Sequence, residues 1–255
     1  MPFTLCHPAI VIPLYLHARR ITSLPALVIG SMMPDAVYFF SFGVSGRFSH
    51  SVAGIALYCV PAGALVYSLY CATVRPALLA WLPQALSARM AWHLAMPWRS
   101  LRATALVLAS LAIGALSHIA WDSFTHPGTA IVSRFAPLRE LVSIGGHAVP
   151  VFNIAQHASS LAGLIVIAAS TVAWMSRSQP GPAYQPALSK RQRLLAAAAV
   201  GLAGVAGCGW GLLFRSTRST EHALFSMVTS GMACAAAALV LACLAWHRYQ
   251  GTRQR

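Results

Sequence analysis

The sequence predicts an all-α, polytopic membrane protein, with about five spanning helices preceded by N-terminal interfacial or re-entrant helices. Three observations predict it. The 255-residue chain is 58% hydrophobic and only 9% charged, and its mean hydropathy of +0.66 belongs to a bilayer rather than a globular composition. Apolar runs of bilayer-crossing length, about 20 residues each, cover 52–74, 103–121, 158–176, 194–214 and 223–246. The charges fall mostly in the connections between those runs. Five runs leave too little chain for a separate soluble domain. Residues 1–176 are expected to form a membrane domain carrying the His and Asp residues. Residues 177–255 are expected to add a cytoplasmic loop and two packing helices of the same bundle.

In chain order, residues 8–18 are apolar but too short to span, because a helix rises about 1.5 Å per residue. Pro8 suits a first helical turn, so an interfacial helix is expected. Residues 24–42 are interrupted by Gly30 and Pro34, and a broken helix at membrane depth is tolerated where it lines a cavity. This segment spans or re-enters. The 52–74 run follows Phe48-Ser49-His50-Ser51, so Ser49 or Ser51 caps its start. The 103–121 run continues to about Thr125, where Pro127-Gly128 stops it. Between 129 and 150, helical spacing of Ile131, Phe135, Leu138 and Val142 predicts an amphipathic stretch on the membrane surface, ended by Gly145-Gly146. Residues 178–193, with Pro180, Gly181, Pro182 and Pro186, read as a loop. The last two runs contain no acid and place Gly207 and Gly211 at the small-xxx-small spacing of close helix packing.

The net charge of +14 does not predict a nucleic-acid partner, because the basic residues form no dense run or aromatic-interleaved stripe. Of the 18 Lys and Arg, 11 fall in alternate connections: Arg75, Arg89, Arg99, Arg102, Arg177, Lys190, Arg191, Arg193, Arg248, Arg253 and Arg255. Basic residues favour the cytoplasmic side, so 43–51 and 122–157 are expected together on the opposite face. The N-terminus lacks a basic region ahead of its apolar run, and no removable signal peptide is expected. The six cysteines show no CxxC pairing and read as small apolar residues. Cys6 beside His7 as a ligand is the weaker reading.

Only four acids occur, and two of them, Asp35 and Asp122, lie in strongly apolar surroundings. A charged residue at the centre of a lipid-embedded helix costs about 2.5–3.5 kcal/mol on the insertion scale, so it needs a partner, a cavity or a metal. His118 and Asp122 are four apart and share one helix face, a spacing at which two ligands can hold one divalent ion. The plainer reading is a hydrogen bond that neutralises a buried acid. His126 extends that face if the helix persists, and otherwise marks its frayed end. Asp35 alone fits a helix N-terminus, His50 a helix entry, and His7 a cap before Pro8. Taken together, His7, Asp35, His50, His118 and Asp122 are the candidate ligands of a shared site. His126, His147 and His157 are possible additions. His17, His93, His222 and His247 read as interfacial polar residues, and Glu140 and Glu221 as solvated surface charges.

The segments Met1-Pro2-Phe3-Thr4-Leu5-Cys6-His7-Pro8, Val28-Ile29-Gly30-Ser31-Met32-Met33-Pro34-Asp35, Phe48-Ser49-His50-Ser51 and Trp121-Asp122-Ser123-Phe124-Thr125-His126 resemble a family of bacterial membrane proteins, domain of unknown function DUF4184. The likeness covers about residues 1–165. More remotely, the order of His, Pro-Asp, His-Ser and Ser-His-x-x-x-Asp resembles inner-membrane proteins described as metal-dependent hydrolases, and the helical zinc phospholipase C and nuclease group. That resemblance implies the same five ligands, a divalent cofactor such as zinc and an inner-membrane location, and the Lys/Arg bias puts the site on the extracytoplasmic side. The late HxxxE of the remote group is missing after both His147 and His157, so one or two ions are expected rather than three.

The leading expectation is a membrane-embedded, metal-dependent hydrolase acting on a phosphoester or other ester, including lipid, with Asp35 or Asp122 as a ligand or general base. Arg47 or Arg134 would hold an anionic headgroup. An ion- or proton-coupled transporter and a structural scaffold with a merely polar cluster are the alternatives. Membrane lipid and a small anionic or lipid ester are the expected partners.

Overall fold

The computed structural model describes residues 4–40, 43–90, 98, 100–181, 188–214 and 219–253. His93, Arg99, Arg215, Arg218 and part of the 178–193 loop lie outside the described residues, as does the side chain of Glu221. The described residues are helical almost throughout, and five helices among them are long and apolar enough to cross a bilayer. All five expected runs fall within these helices. Leu161, Ile165, Leu202, Val205 and Leu213 are each more than half exposed. Apolar side chains turned outward along such helices suit hydrocarbon rather than water.

The chain separates into two compact units. The first comprises Met1–Val37, Gly43–Tyr67 and Pro97–Arg177; the second comprises Tyr38–Phe42, Ser68–Met96 and Ser178–Arg255.

In the first unit, α1 (Pro8–Ala18) and α2 (Leu24–Met32) are short apolar helices. A 3₁₀ turn, Met33–Asp35, follows α2 directly, because Pro34 has no N–H with which to continue the α-helical ladder. The next helix, α3 (Val52–Trp81), belongs to the first unit up to Tyr67 and to the second from Ser68, and contains two π-helical stretches, Ile55–Cys59 and Tyr70–Val74. Each contains the carbonyl that Pro61 or Pro76 would clash with four residues earlier, and the wider turn relieves that clash. Ser51 caps this helix, its Oγ accepting from the Gly54 N–H at 2.9 Å. Ser49 does something else: its hydroxyl donates to the Pro34 carbonyl at 2.8 Å.

Helix α4 (Leu101–Thr125) begins at Ser100, whose Oγ accepts from the Ala103 N–H. It packs along α2, and both helices are notched for the contact. A Cβ on Gly30 would run into the Leu111 backbone, and one on Gly114 into the Leu27 backbone. Helix α5 (Val151–Arg177) packs against α1 and α4.

The expected amphipathic helix between 129 and 150 is not formed. Helix persists only over Ala130–Arg134, a 3₁₀ turn covers Ala136–Arg139, and β1 (Leu141–Ile144) pairs antiparallel with β2 (His147–Pro150). Pro137 interrupts the ladder. Gly145 and Gly146, at φ +57° and +82°, make the two-residue turn that a tight hairpin requires. The pair bends the hairpin rather than ending a helix.

In the second unit, α6 (Lys190–Phe214) and α7 (Thr220–Arg253) lie side by side. Gly207 meets Ser230 and Cys234, and Gly211 meets Ser226 and Met227, so the predicted small-residue seam is the contact. Ala77, Ala80, Cys243 and Trp246 form a buried cluster there.

Candidate metal centre

The polar residues of the first unit converge where α2, α4 and the turn before α3 meet. Asp35 leaves the 3₁₀ turn after α2 and is fully buried. His118 and Asp122 stand one turn apart on α4, with exposures of 0% and 6%. His50 ends the short helical turn Gly46–Ser49, which the Ser49–Pro34 hydrogen bond ties to the Asp35 turn.

Two imidazoles are oriented in the same way. The Nδ1 of His118 lies 2.7 Å from the Ser31 carbonyl, one of the carbonyls released as α2 ends. The Nδ1 of His50 lies 2.8 Å from the Gly46 carbonyl. A carbonyl only accepts, so each ring, when neutral, carries its proton on Nδ1 and turns Nε2 inward. Facing those Nε2 atoms are carboxylate oxygens, which also only accept. His50 Nε2 is 3.4 Å from Asp35 Oδ1 and 3.6 Å from Asp122 Oδ2. His118 Nε2 is 3.5 and 3.3 Å from the same two atoms. Asp35 Oδ1 and His118 Nε2 are buried with no hydrogen-bond partner.

Those four distances are edges of one polyhedron. Its other two edges, His50–His118 and Asp35–Asp122, are within 4.8 Å. A tetrahedron with metal–ligand bonds of about 2.1 Å has edges of about 3.4 Å, close to the four measured. Two carboxylates also balance the charge of a divalent ion, which matters where water is scarce. Asp35, His50, His118 and Asp122 therefore have the donor types, spacing and charge for one divalent ion. The alternative occupant is a proton, shared as imidazolium and carboxylate.

His7 was expected among the ligands and lies beside them instead. Its ring is fully buried and stacks on His118, with centroids 3.8 Å apart and planes inclined by 17°. Its Nε2 is 3.2 Å from Asp122 Oδ1, the oxygen turned away from His50 and His118. Thr4, which sequence reasoning passed over, donates to Asp35 Oδ2 at 2.6 Å. Its only signal was its place in the opening motif, since a lone threonine carries no ligand character.

His126 marks the end of α4, extended at φ −121°, with its Nδ1 3.6 Å from Asp122 Oδ1. It is outside the four-residue group. His147 is exposed on β2 and His157 is exposed on α5, so neither joins it. Cys6 is buried nearby without joining it. His17 and His222 are exposed, as expected of interfacial residues, whereas His247 is partly buried and meets the Thr73 carbonyl at 3.0 Å. Glu140, Arg47 and Arg134 are exposed.

An open apolar groove of about 380 Å³ runs between α1, α4 and α5, lined chiefly by Ile10, Trp121, Phe124 and Ala155. Trp121 joins groove to centre, since its ring also packs on His7 at 5.4 Å.

No curated protein and no solved structure matches this chain. The remote likeness to hydrolases therefore rests on motif order alone. A family match runs over residues 1–244, past the motifs and into the last two long helices. The chain belongs to the family defined by the domain of unknown function DUF4184.

Proposed function

We propose that this protein is a membrane-embedded, metal-dependent hydrolase of a phosphoester or other ester, with its site toward the extracytoplasmic face of a bacterial inner membrane. The observation that carries the reading is the convergence of two imidazole Nε2 atoms on two carboxylate oxygens at 3.3–3.6 Å, close to tetrahedral edges. When bound, a Zn²⁺ or similar ion lowers the pKa of its water toward neutrality and polarises an ester oxygen. Asp35, His50, His118 and Asp122 would hold it. His50, whose side chain is 21% exposed against 0–8% for the other three, leaves the open side by which water and substrate enter. Asp122 or Asp35 would orient the attacking water. The apolar groove beside Trp121 suits a hydrocarbon chain, which favours a lipid ester as substrate.

A second reading is favoured by the four protein ligands themselves, because a filled tetrahedron is typical of structural ions. On that reading the ion ties α2, α4 and the His50 turn together without turnover. Purified protein, loaded with Zn²⁺ or Mn²⁺, is assayed on bis(p-nitrophenyl) phosphate, p-nitrophenyl esters and phospholipid in mixed micelles. Metal-dependent cleavage abolished by Asp35→Asn supports the hydrolase. Bound metal with no cleavage of any of the three supports the structural ion.

A further inference from the structure

The two carboxylates of the centre are held in the same way, and by the same short stretch of chain. Each Asp presents one oxygen to the imidazoles, Oδ1 for Asp35 and Oδ2 for Asp122. The other oxygen of each is taken by the N-terminal turn. Thr4 Oγ1 donates to Asp35 Oδ2 at 2.6 Å, and His7 Nε2 meets Asp122 Oδ1 at 3.2 Å. Thr4 opens one 3₁₀ turn, Thr4–Cys6, and His7 follows it directly; Thr4, Cys6 and His7 are all buried.

We infer that Thr4 and His7 form a clamp that fixes both carboxylates in one-oxygen coordination, making them positioning residues and not ligands. This rests on the metal reading above and adds what prepares the site for the ion. A carboxylate with its rear oxygen hydrogen-bonded cannot rotate to chelate through both oxygens without losing that bond. The His7 ring adds a second constraint by stacking on His118. Groups behind metal ligands commonly change affinity by about 10–100-fold when removed.

The test is Co²⁺ titration of the purified full chain in detergent, following stoichiometry, affinity and the Co²⁺ absorption bands. Thr4→Val is isosteric and deletes only the hydroxyl; Thr4→Ser restores it. His7→Phe keeps a stacking ring and deletes the nitrogen; His7→Gln keeps a donor. Thr4→Val and His7→Phe are expected to bind Co²⁺ about 10–100-fold more weakly. At saturation their stoichiometry stays that of the wild type, with shifted absorption bands, and Thr4→Ser and His7→Gln recover most of the affinity. Wild-type affinity and spectrum in both Thr4→Val and His7→Phe would overturn the clamp while leaving the metal centre intact. Loss of stoichiometry in His7→Phe, with Asp122→Asn behaving alike, would make His7 a ligand and overturn it too. Wild-type protein that binds no Co²⁺ removes the metal reading and the clamp with it. A variant that fails to elute as a single species is replaced by Thr4→Ala or His7→Leu, which also delete the donor; about 10–100-fold weaker Co²⁺ binding is expected there too, and wild-type affinity overturns the clamp.

Discussion

Replacing Asp122 by Asn keeps the side chain's size and its hydrogen-bonding outline but removes the negative charge that His7, His50, His118 and His126 all approach within 3.6 Å. Asp122 Oδ2 supplies two of the four measured tetrahedral edges, at 3.3 and 3.6 Å. Without it, Asp35 alone opposes a divalent ion, and the site carries a net positive charge among buried groups. An uncompensated buried charge costs about 3–5 kcal/mol, which is roughly two to three and a half powers of ten in Kd. Elemental analysis of detergent-purified protein, followed by competition against a chromogenic chelator, reads both stoichiometry and affinity. The expected result is loss of bound zinc after gentle purification and a Kd raised by at least about 100-fold. Full zinc stoichiometry at wild-type affinity would refute the ligand assignment. It would leave the cluster as a protonated imidazole–carboxylate network.

Further outcomes follow from the same geometry. A chelator should lower the Tm of wild-type protein, since a ligand present at 100 times its Kd contributes about 2.7 kcal/mol to the folded state; Asp122→Asn should show no such drop. Gly114→Ala should destabilise by about 1–3 kcal/mol, because its Cβ meets the Leu27 backbone, and thermal unfolding of the detergent-solubilised protein checks it. His147→Ala and His157→Ala should retain full metal content by elemental analysis, because both side chains are exposed away from the four-residue group.

The sequence by itself determined the all-helical class and the five long apolar helices, because bilayer-length hydropathy is a local property that needs no tertiary contact. It also marked His7, Asp35, His50, His118 and Asp122 as one set, since acids are so scarce here that a buried one demands compensation. The small-residue seam of α6 and α7 was legible for a similar reason: spacing alone puts Gly207 and Gly211 on one face.

Other features required the fold. Residues 129–150 carry helical apolar spacing, yet Pro137 and the Gly145-Gly146 pair favour a turn and a hairpin, and backbone limits outweighed periodicity. Whether a histidine is a ligand or stands behind one depends on which nitrogen faces which oxygen. His7 and His50 look alike in sequence, but one meets Asp122 Oδ1 from behind and the other faces Oδ2 across the centre. Thr4 carried no chemical sign beyond its place in the opening motif, because a hydroxyl becomes informative only when a buried carboxylate oxygen lies 2.6 Å away. Ligand type is written along the chain, whereas the direction of each lone pair is set by contacts between segments as far apart as Thr4 and Asp35 or His7 and Asp122.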